Sequence, residues 1–261
     1  MPDPTPSRPP LREGVKALID AEVYLFRAAA ACEVETEWAP DDWTYTCRHG
    51  DAQALFQDAI GEIRDTLPDH RPVLVFGSRN SFRYGVWPQY KANRKKRRTP
   101  AGYRQLVDWV TKAGPARGWQ TAELPDIEGD DVLGVLHEWG DVICSIDKDM
   151  LTLPGWHLRN GELREVSLLD ADLAFYAQTL TGDTSDNYPG CPGYGPVTTQ
   201  KALAGCTSEL QMWQAVLQAF EKKGFGEHYA ITQARCARIL RAGEYDLENQ
   251  TVRLWSPPVA L

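Results

Sequence analysis

Residues 127 to 134, IEGDDVLG, place three carboxylates, Glu128, Asp130 and Asp131, in four positions at the head of an apolar run. Like charges held this close cost energy unless a proton or a cation stands between them. Six further acids belong with them: Asp20 and Glu22 after the first apolar run, Asp147 and Asp149 in DKD, and Asp183 and Asp186 in GDTSDN. The 261-residue chain has a formal net charge of −8, so without these nine carboxylates it would be close to neutral. Its acidity therefore resides in a candidate site rather than in the surface at large. Hard oxygen donors suit Mg2+ or Mn2+, which keep several waters and take few protein carboxylates directly. Two such ions activate water and hold the attacking and leaving oxygens of a phosphodiester.

Taken singly, each acidic group has a plainer meaning. An acid in the first turn of a helix complements the helix dipole. Asp147-Lys148-Asp149 is a pattern shared by many phosphate enzymes and many loops, and residues 182–187 read equally well as a capped turn. What the plain readings leave unexplained is their convergence on one place.

A second set of residues is basic. Lys91, Arg94, Lys95, Lys96, Arg97 and Arg98 put six positive charges into eight positions, with Arg79 and Arg83 ahead of them and Tyr84, Trp87 and Tyr90 interleaved. A charge run is usually a solvated face. This one directly follows an apolar run ending in the same region as the acids, where a basic lip would draw a phosphate chain towards metals. Tyr84 and Tyr90 would then stack on bases or pack the lip against the domain. PGCPGYGP (189–196) sets Gly190, Gly193 and Gly195 ahead of a predicted helix carrying Thr198 and Lys201. Glycines permit close backbone approach and a helix N-terminus binds phosphate, although a plain αα turn is the alternative.

The elements that must position these residues follow from periodicity. Short apolar runs at 15–20, 72–77, 119–125 and 141–149 predict strands, several ending in acids. Helical spacing predicts helices at 22–35, 50–66, 101–114 and 128–140. Strands alternating with helices imply an α/β fold with a central, mainly parallel sheet flanked by helices. Ligands of such sheets bind beyond the carboxyl ends of the strands, which is where Asp20, Asp147, Asp149 and the Glu128 cluster would meet. After residue 154 the pattern changes to a hairpin around Asn160-Gly161 and then helices at 168–181, 197–204, 208–222 and 226–242.

Composition narrows the class further. No apolar run is long enough for a membrane span. MPDPTPSRPPLREG (1–14) holds five prolines and reads as a disordered leader. Six cysteines without a C-x-x-C pair imply a reduced, cytoplasmic protein.

In order along the chain, LID (18–20), YKANR (90–94), EGDDV (128–132), SIDKDM (145–150) and TGDTSDNYPGCPGYGP (181–196) resemble the flap endonuclease/5′–3′ exonuclease family. The similarity is greatest to the 5′ exonucleases encoded by short-tailed phages and spans roughly residues 15 to 256. It implies a PIN-like nuclease core over 15–167 with a helical arch near 83–100, and a helical region over 168–261. A helix–turn–helix near 181–204 would hold duplex DNA there, around a potassium ion at the 190–196 turn. It further implies metal-binding roles for Asp20, Glu128, Asp130, Asp131, Asp147, Asp149, Asp183 and Asp186, with Lys91 and Arg94 steadying the scissile phosphate. The implied substrate is duplex DNA with a 5′ end or flap, or an RNA–DNA hybrid, in host cytoplasm during phage replication. Two departures stand out: Glu22 occurs where the subgroup usually has Asp, and Ser78 where the family generally places an acid after its second strand. The second departure leaves a non-cutting, structure-selective DNA-binding protein as the competing expectation.

Overall fold

The structure, a computed structural model, describes residue 9, residues 13–96 and residues 98–259, with the backbone alone at 95 and 96. The leader expected at 1–14 thus falls almost wholly outside the described residues, as does Arg97. A six-stranded sheet forms the centre: β1 (Lys16–Asp20), β4 (Arg71–Phe76), β5 (Gln120–Glu123), β6 (Val142–Cys144), β7 (Gly155–Arg159) and β8 (Glu162–Val166), in the order β5-β4-β1-β6-β7-β8. All neighbours are parallel except β7 and β8, so the hairpin at Asn160-Gly161 extends the sheet by an antiparallel edge. β1 pairs with β4 on one side and β6 on the other. The chain therefore winds outwards, returns and crosses β1, and that reversal is the point at which such sheets open a crevice.

Alternation along the strands divides the core. Ala17, Ile19, Leu74, Phe76, Val142 and Cys144 face one layer, with α1 (Ala21–Ala31), α2 (His49–Thr66) and α4 (Tyr103–Ala113). Leu18, Val73, Val75 and Ile143 face the other, with α5 (Gly129–Leu136) and Ile239, Leu240 and Tyr245 from the far end of the chain. Period-two burial of this kind requires apolar residues at every strand position, which explains the unbroken apolar runs. A third cluster is built by α6 (Leu168–Thr181), α7 (Pro196–Leu203), α8 (Glu209–Glu221) and α9 (Glu227–Ala237), closed by Trp255 and by Tyr90 from the basic segment. Two short strands, β9 (Tyr245–Asp246) and β10 (Thr251–Val252), pair near the C-terminus.

Several expectations from the sequence are corrected. The helix predicted over 22–35 ends at Ala31, and a hairpin follows, β2 (Glu33–Ala39) and β3 (Asp42–Cys47), turning at Asp41 with φ 65°. The helices expected to reach 140 and 242 stop at Leu136 and Ala237, because His137 and Arg238 take extended backbone. Residues 147–152 leave the sheet as a single 3-10 turn at Lys148–Thr152. In the segment expected as a helical arch, the described part of 83–100 holds two short helical pieces, α3 (Arg83–Val86) and a 3-10 turn at Ala92–Lys96.

Arg83, expected on a basic lip, is 3% exposed. Its guanidinium donates to both oxygens of the fully buried Asp131 at 2.6 and 2.8 Å, to Glu128 Oε2 at 3.1 Å, and to the carbonyls of Cys236 (3.0 Å) and Arg238. Burial is the largest single influence and opposes its charge, but Asp131, Tyr90 and Glu128 together outweigh it and keep Arg83 firmly protonated. One side chain thus joins α3, the head of α5 and the end of α9. On the same helix, a Cβ at Gly134 would lie 2.0 Å from the carbonyl oxygen of Leu240, so the two segments touch backbone to backbone.

Two stability outcomes follow, both read by urea denaturation. Gly134→Ala should cost about 1–3 kcal/mol through overpacking against residue 240. Arg83→Met should cost about 3–5 kcal/mol, because it leaves the Asp131 charge buried without a partner. Adding Asp131→Asn to Arg83→Met should recover part of that loss; no recovery would mean that charge is not the cause.

Candidate active site

The carboxyl ends of β1, β4 and β6 open onto a cleft of about 1230 Å3. Asp20 ends β1, Glu22 lies in the first turn of α1, and Gly77 and Ser78 follow β4. Glu128 and Asp130 open α5, Asp147 and Asp149 follow β6, and Asp183 and Asp186 come from the loop after α6. Tyr84, Tyr90, Lys91 and Arg94 complete the lining from the basic segment. Seven of the eight acids expected at the metals therefore share one cleft.

Asp131 is the exception. It is fully buried, does not line the cleft, and is saturated by Arg83 and by the backbone N–H groups of Glu128 (3.1 Å) and Leu240 (3.0 Å). Its expected catalytic and metal-binding roles are therefore corrected to that of a buried counter-ion and helix cap, since no lone pair is left facing solvent. The other acids fall into two groups. Glu128 pairs with Arg83 and Lys91, and Asp186 pairs with Arg94 and, at 3.8 Å, with Lys91. Asp20, Glu22, Asp130, Asp147, Asp149 and Asp183 have no ion pair among the described residues.

The electrostatics follow this division. Burial works against the charge of Glu128, yet Arg83 and Lys91 hold its carboxyl below the usual range. Burial pushes Asp20 up, with Asp147 adding to it, and raises Asp130 far above the usual range, helped by Asp20, Glu128 and Asp147. Glu22 is raised by burial and by Asp20 and Glu128, and Asp149 is pushed up to about 6 by burial and Asp147. Burial is the first cause of each of these upward shifts and the neighbouring acids the second. Among the described residues no three of them are already drawn into one coordination sphere.

Neighbouring groups fix these acids in place. Ser145 donates to Asp20 Oδ2 at 2.7 Å and accepts from the N–H of Asp147 at 3.0 Å, so one hydroxyl locks the ends of β1 and β6 together. Asp147 accepts from the N–H of Asp149 at 2.9 Å, and Asp183 from those of Ser185 (2.5 Å) and Asp186 (3.1 Å). The sequence reading missed Ser145, although its place directly before the DKD stretch was the available signal. Its burial, at 2% exposed, was not legible.

The basic segment is stitched to the Asp183–Asp186 loop. The N–H of Lys91 donates to the carbonyl of Asp186 at 2.8 Å, the Trp87 indole to that of Asn187 at 2.9 Å, and the Asn187 amide to that of Gln89 at 2.7 Å. Lys91 adopts φ 54° to make this crossing. Tyr90, expected to stack on a base, is instead buried; its hydroxyl meets Glu128 and Asp186 at 2.8 Å each. Tyr84 stays exposed on the rim. Arg79 is exposed outside the lining, and Arg98 turns to the β2–β3 hairpin, pairing with Glu33 and lying 3.6 Å over the Tyr45 ring. The side chains of Lys95 and Lys96, and all of Arg97, lie outside the described residues.

The glycine turn also divides. Gly190 is buried, with its N–H donating to Gln233, and a Cβ there would lie 2.3 Å from the backbone N of Gly182. Its expected DNA contact is corrected to this backbone packing. Gly193, Gly195 and Thr198 are exposed around the start of α7 and Lys201 is exposed in its last turn, all outside the cleft lining.

Residues 16–172 match the model of the 5′–3′ exonuclease N-terminal, resolvase-like domain. An exodeoxyribonuclease of Enterobacteria phage T3 is 29% identical over 95% of this chain and 96% of its own length. An exonuclease of Escherichia phage T7 is 28% identical over the same shares. Among solved structures, the bacteriophage T5 flap endonuclease in a complex with DNA and metal ions superposes with a TM-score of 0.56 at 15% identity, covering 84% of this chain and 90% of that one. The catalytic core of Rad2 with a DNA substrate gives 0.53 at 18% identity, covering 81% and 68%. With an acid-lined cleft at the switch point of a parallel sheet and a family model matching more than half its length, the chain belongs to the 5′–3′ exonuclease family.

Proposed function

We propose that this 5′–3′ exonuclease hydrolyses phosphodiester bonds of duplex or branched DNA from 5′ ends, using two or more Mg2+ or Mn2+ ions. The RNA strand of an RNA–DNA hybrid offers the same phosphodiester and is a further substrate class. The observation that carries the reading is the sorting of the cleft acids. Glu128 and Asp186 are neutralised by lysine and arginine, while Asp20, Asp130, Asp147, Asp149 and Asp183 are left to a cation.

Ions held by these side chains would polarise a phosphoryl oxygen and lower the pKa of a water. Ser145 keeps Asp20 and Asp147 in register for that task. Lys91 and Arg94 already stand at the cleft as ion pairs, and an arriving phosphate can take the place of Glu128 or Asp186 as their partner. Tyr84, on the rim, offers a face for an unpaired base. α6, the glycine turn and α7 act as the duplex-holding helix–turn–helix, with Thr198 and Lys201 on the phosphate backbone and K+ held at the 190–196 turn. These side chains position a backbone and leave base sequence unread, as expected of a structure-selective enzyme.

Two measurements test the reading. On a 5′-labelled duplex with Mg2+, Asp147→Asn should cut at least about a hundredfold more slowly; undiminished cutting would remove Asp147 from the site. The second is pH dependence. Asp20, Glu22, Asp130 and Asp149 have folded pKa values above their unfolded ones, so each contributes stability in acid that is lost as pH rises through its own folded pKa, which for Asp149 is about 6. Divalent ions replace those protons. The rise in Tm produced by Mg2+ should thus be small near about pH 5 and grow towards about pH 7.5. An equal rise at both would place the ions elsewhere.

A further inference from the structure

We infer that Glu22 supplies, at the end of β4, the metal-facing carboxylate that Ser78 does not. The inference rests on the metal-dependent reading above and deepens it. β4 ends at Phe76, and the next two residues form the cleft edge on that side. Ser78 brings no charge to it: its N–H donates to the carbonyl of Ile127 at 2.9 Å, and its hydroxyl oxygen accepts from the N–H of Asn80 at 3.3 Å. Both contacts stay within the loop that follows β4 and the one that precedes α5.

Glu22 begins on a different element and reaches the same edge. It lies two residues beyond Asp20, in the first turn of α1, and its Oε2 accepts from the N–H of Gly77 at 3.2 Å. The hydroxyl of Tyr103 on α4 lies 3.5 Å from Oε1, which steers the other side of the carboxylate. Oε2 would sit 3.1 Å from a Cβ at Gly77 and 3.0 Å from one at Gly129. The carboxylate therefore occupies a slot between two glycines, one closing β4 and the other opening α5. Any side chain at either position would crowd that slot. A glutamate has one methylene more than an aspartate, and that added reach carries the charge from α1 across to β4.

The groups that hold this carboxylate, the Gly77 N–H and the Tyr103 hydroxyl, are both uncharged. Glu22 takes part in no ion pair among the described residues, unlike its neighbour Glu128. Its two neighbours in the cleft, Asp20 and Glu128, are acids. A glutamate held beside two acids, between two glycines, at the edge where this chain has a serine, completes the ring of oxygen donors around the cleft.

The test titrates Mn2+ into the full chain after removal of metal by chelation, with bound ions counted from the electron paramagnetic resonance of free Mn2+. Glu22→Gln keeps the size and the Gly77 contact while removing the charge. It should bind one Mn2+ about tenfold to a hundredfold more weakly, with unchanged circular dichroism. Glu22→Gln combined with Ser78→Asp should regain that site, because the acid returns to the same edge from β4. Wild-type and Glu22→Gln chains titrating alike would overturn the inference and leave the metal-dependent reading standing. A double variant that binds no better than Glu22→Gln would overturn it as well. A wild-type chain that takes up no Mn2+ would overturn both.

Discussion

A guanidinium buried at 3% exposure governs how the molecule is joined. A charge taken out of water is tolerated only when its partners are close, well oriented and complete. Arg83 meets that demand with a bidentate carboxylate, a second acid and two main-chain carbonyls drawn from two distant parts of the chain. Its planar fork suits this arrangement better than a lysine would. The basic segment cannot leave the acid helix, nor can the end of α9, without stranding that charge. Asp131 is therefore committed to architecture, and Glu128 is held at the border between architecture and cleft.

From that junction the cleft acquires two electrostatic halves. On one side, the Lys91 N–H and the Arg94 guanidinium donate to carbonyls of the loop that bears Asp183 and Asp186, so basic and acidic groups are joined there. On the other, Asp20, Glu22, Asp130, Asp147 and Asp149 line the cleft with no lysine or arginine partner among the described residues, and a serine hydroxyl and backbone N–H groups hold Asp20, Glu22 and Asp147. A phosphodiester chain needs both halves: fixed positive charge to receive it, and concentrated oxygen donors to hold the ions that act on it.

The sheet and the acidic basin were legible because their physics is local. Buried parallel strands must be apolar throughout, and acids at their ends stand out against such runs. The β2–β3 hairpin was missed because EVETEW and DWTYTC carry charge and lie on the surface, with Trp38 72% exposed, so no apolar run announces them. Arg83, Tyr90 and Asp131 were misassigned for a different reason: a sequence shows charge and polarity but not burial. Whether an arginine faces DNA or a buried aspartate depends on a partner 48 residues away. Gly190 was read as an approach point for phosphate, whereas its need for glycine is set by Gly182. The reach of Glu22 to β4 was equally hidden, because it depends on how α1 sits over the sheet.

The approach of Gly182 to Gly190 has a consequence for ion capture. Both residues have positive φ, 65° and 63°, and each backbone occupies the space where the other's Cβ would lie. Together with the paired main chains of Asp183 and Tyr188, they cinch residues 182–190 into a closed ring without a covalent link. Closing a loop removes conformational entropy whenever the closing occurs. Here it occurs during folding, so Asp183 and Asp186 meet an incoming ion from a loop whose freedom is already gone.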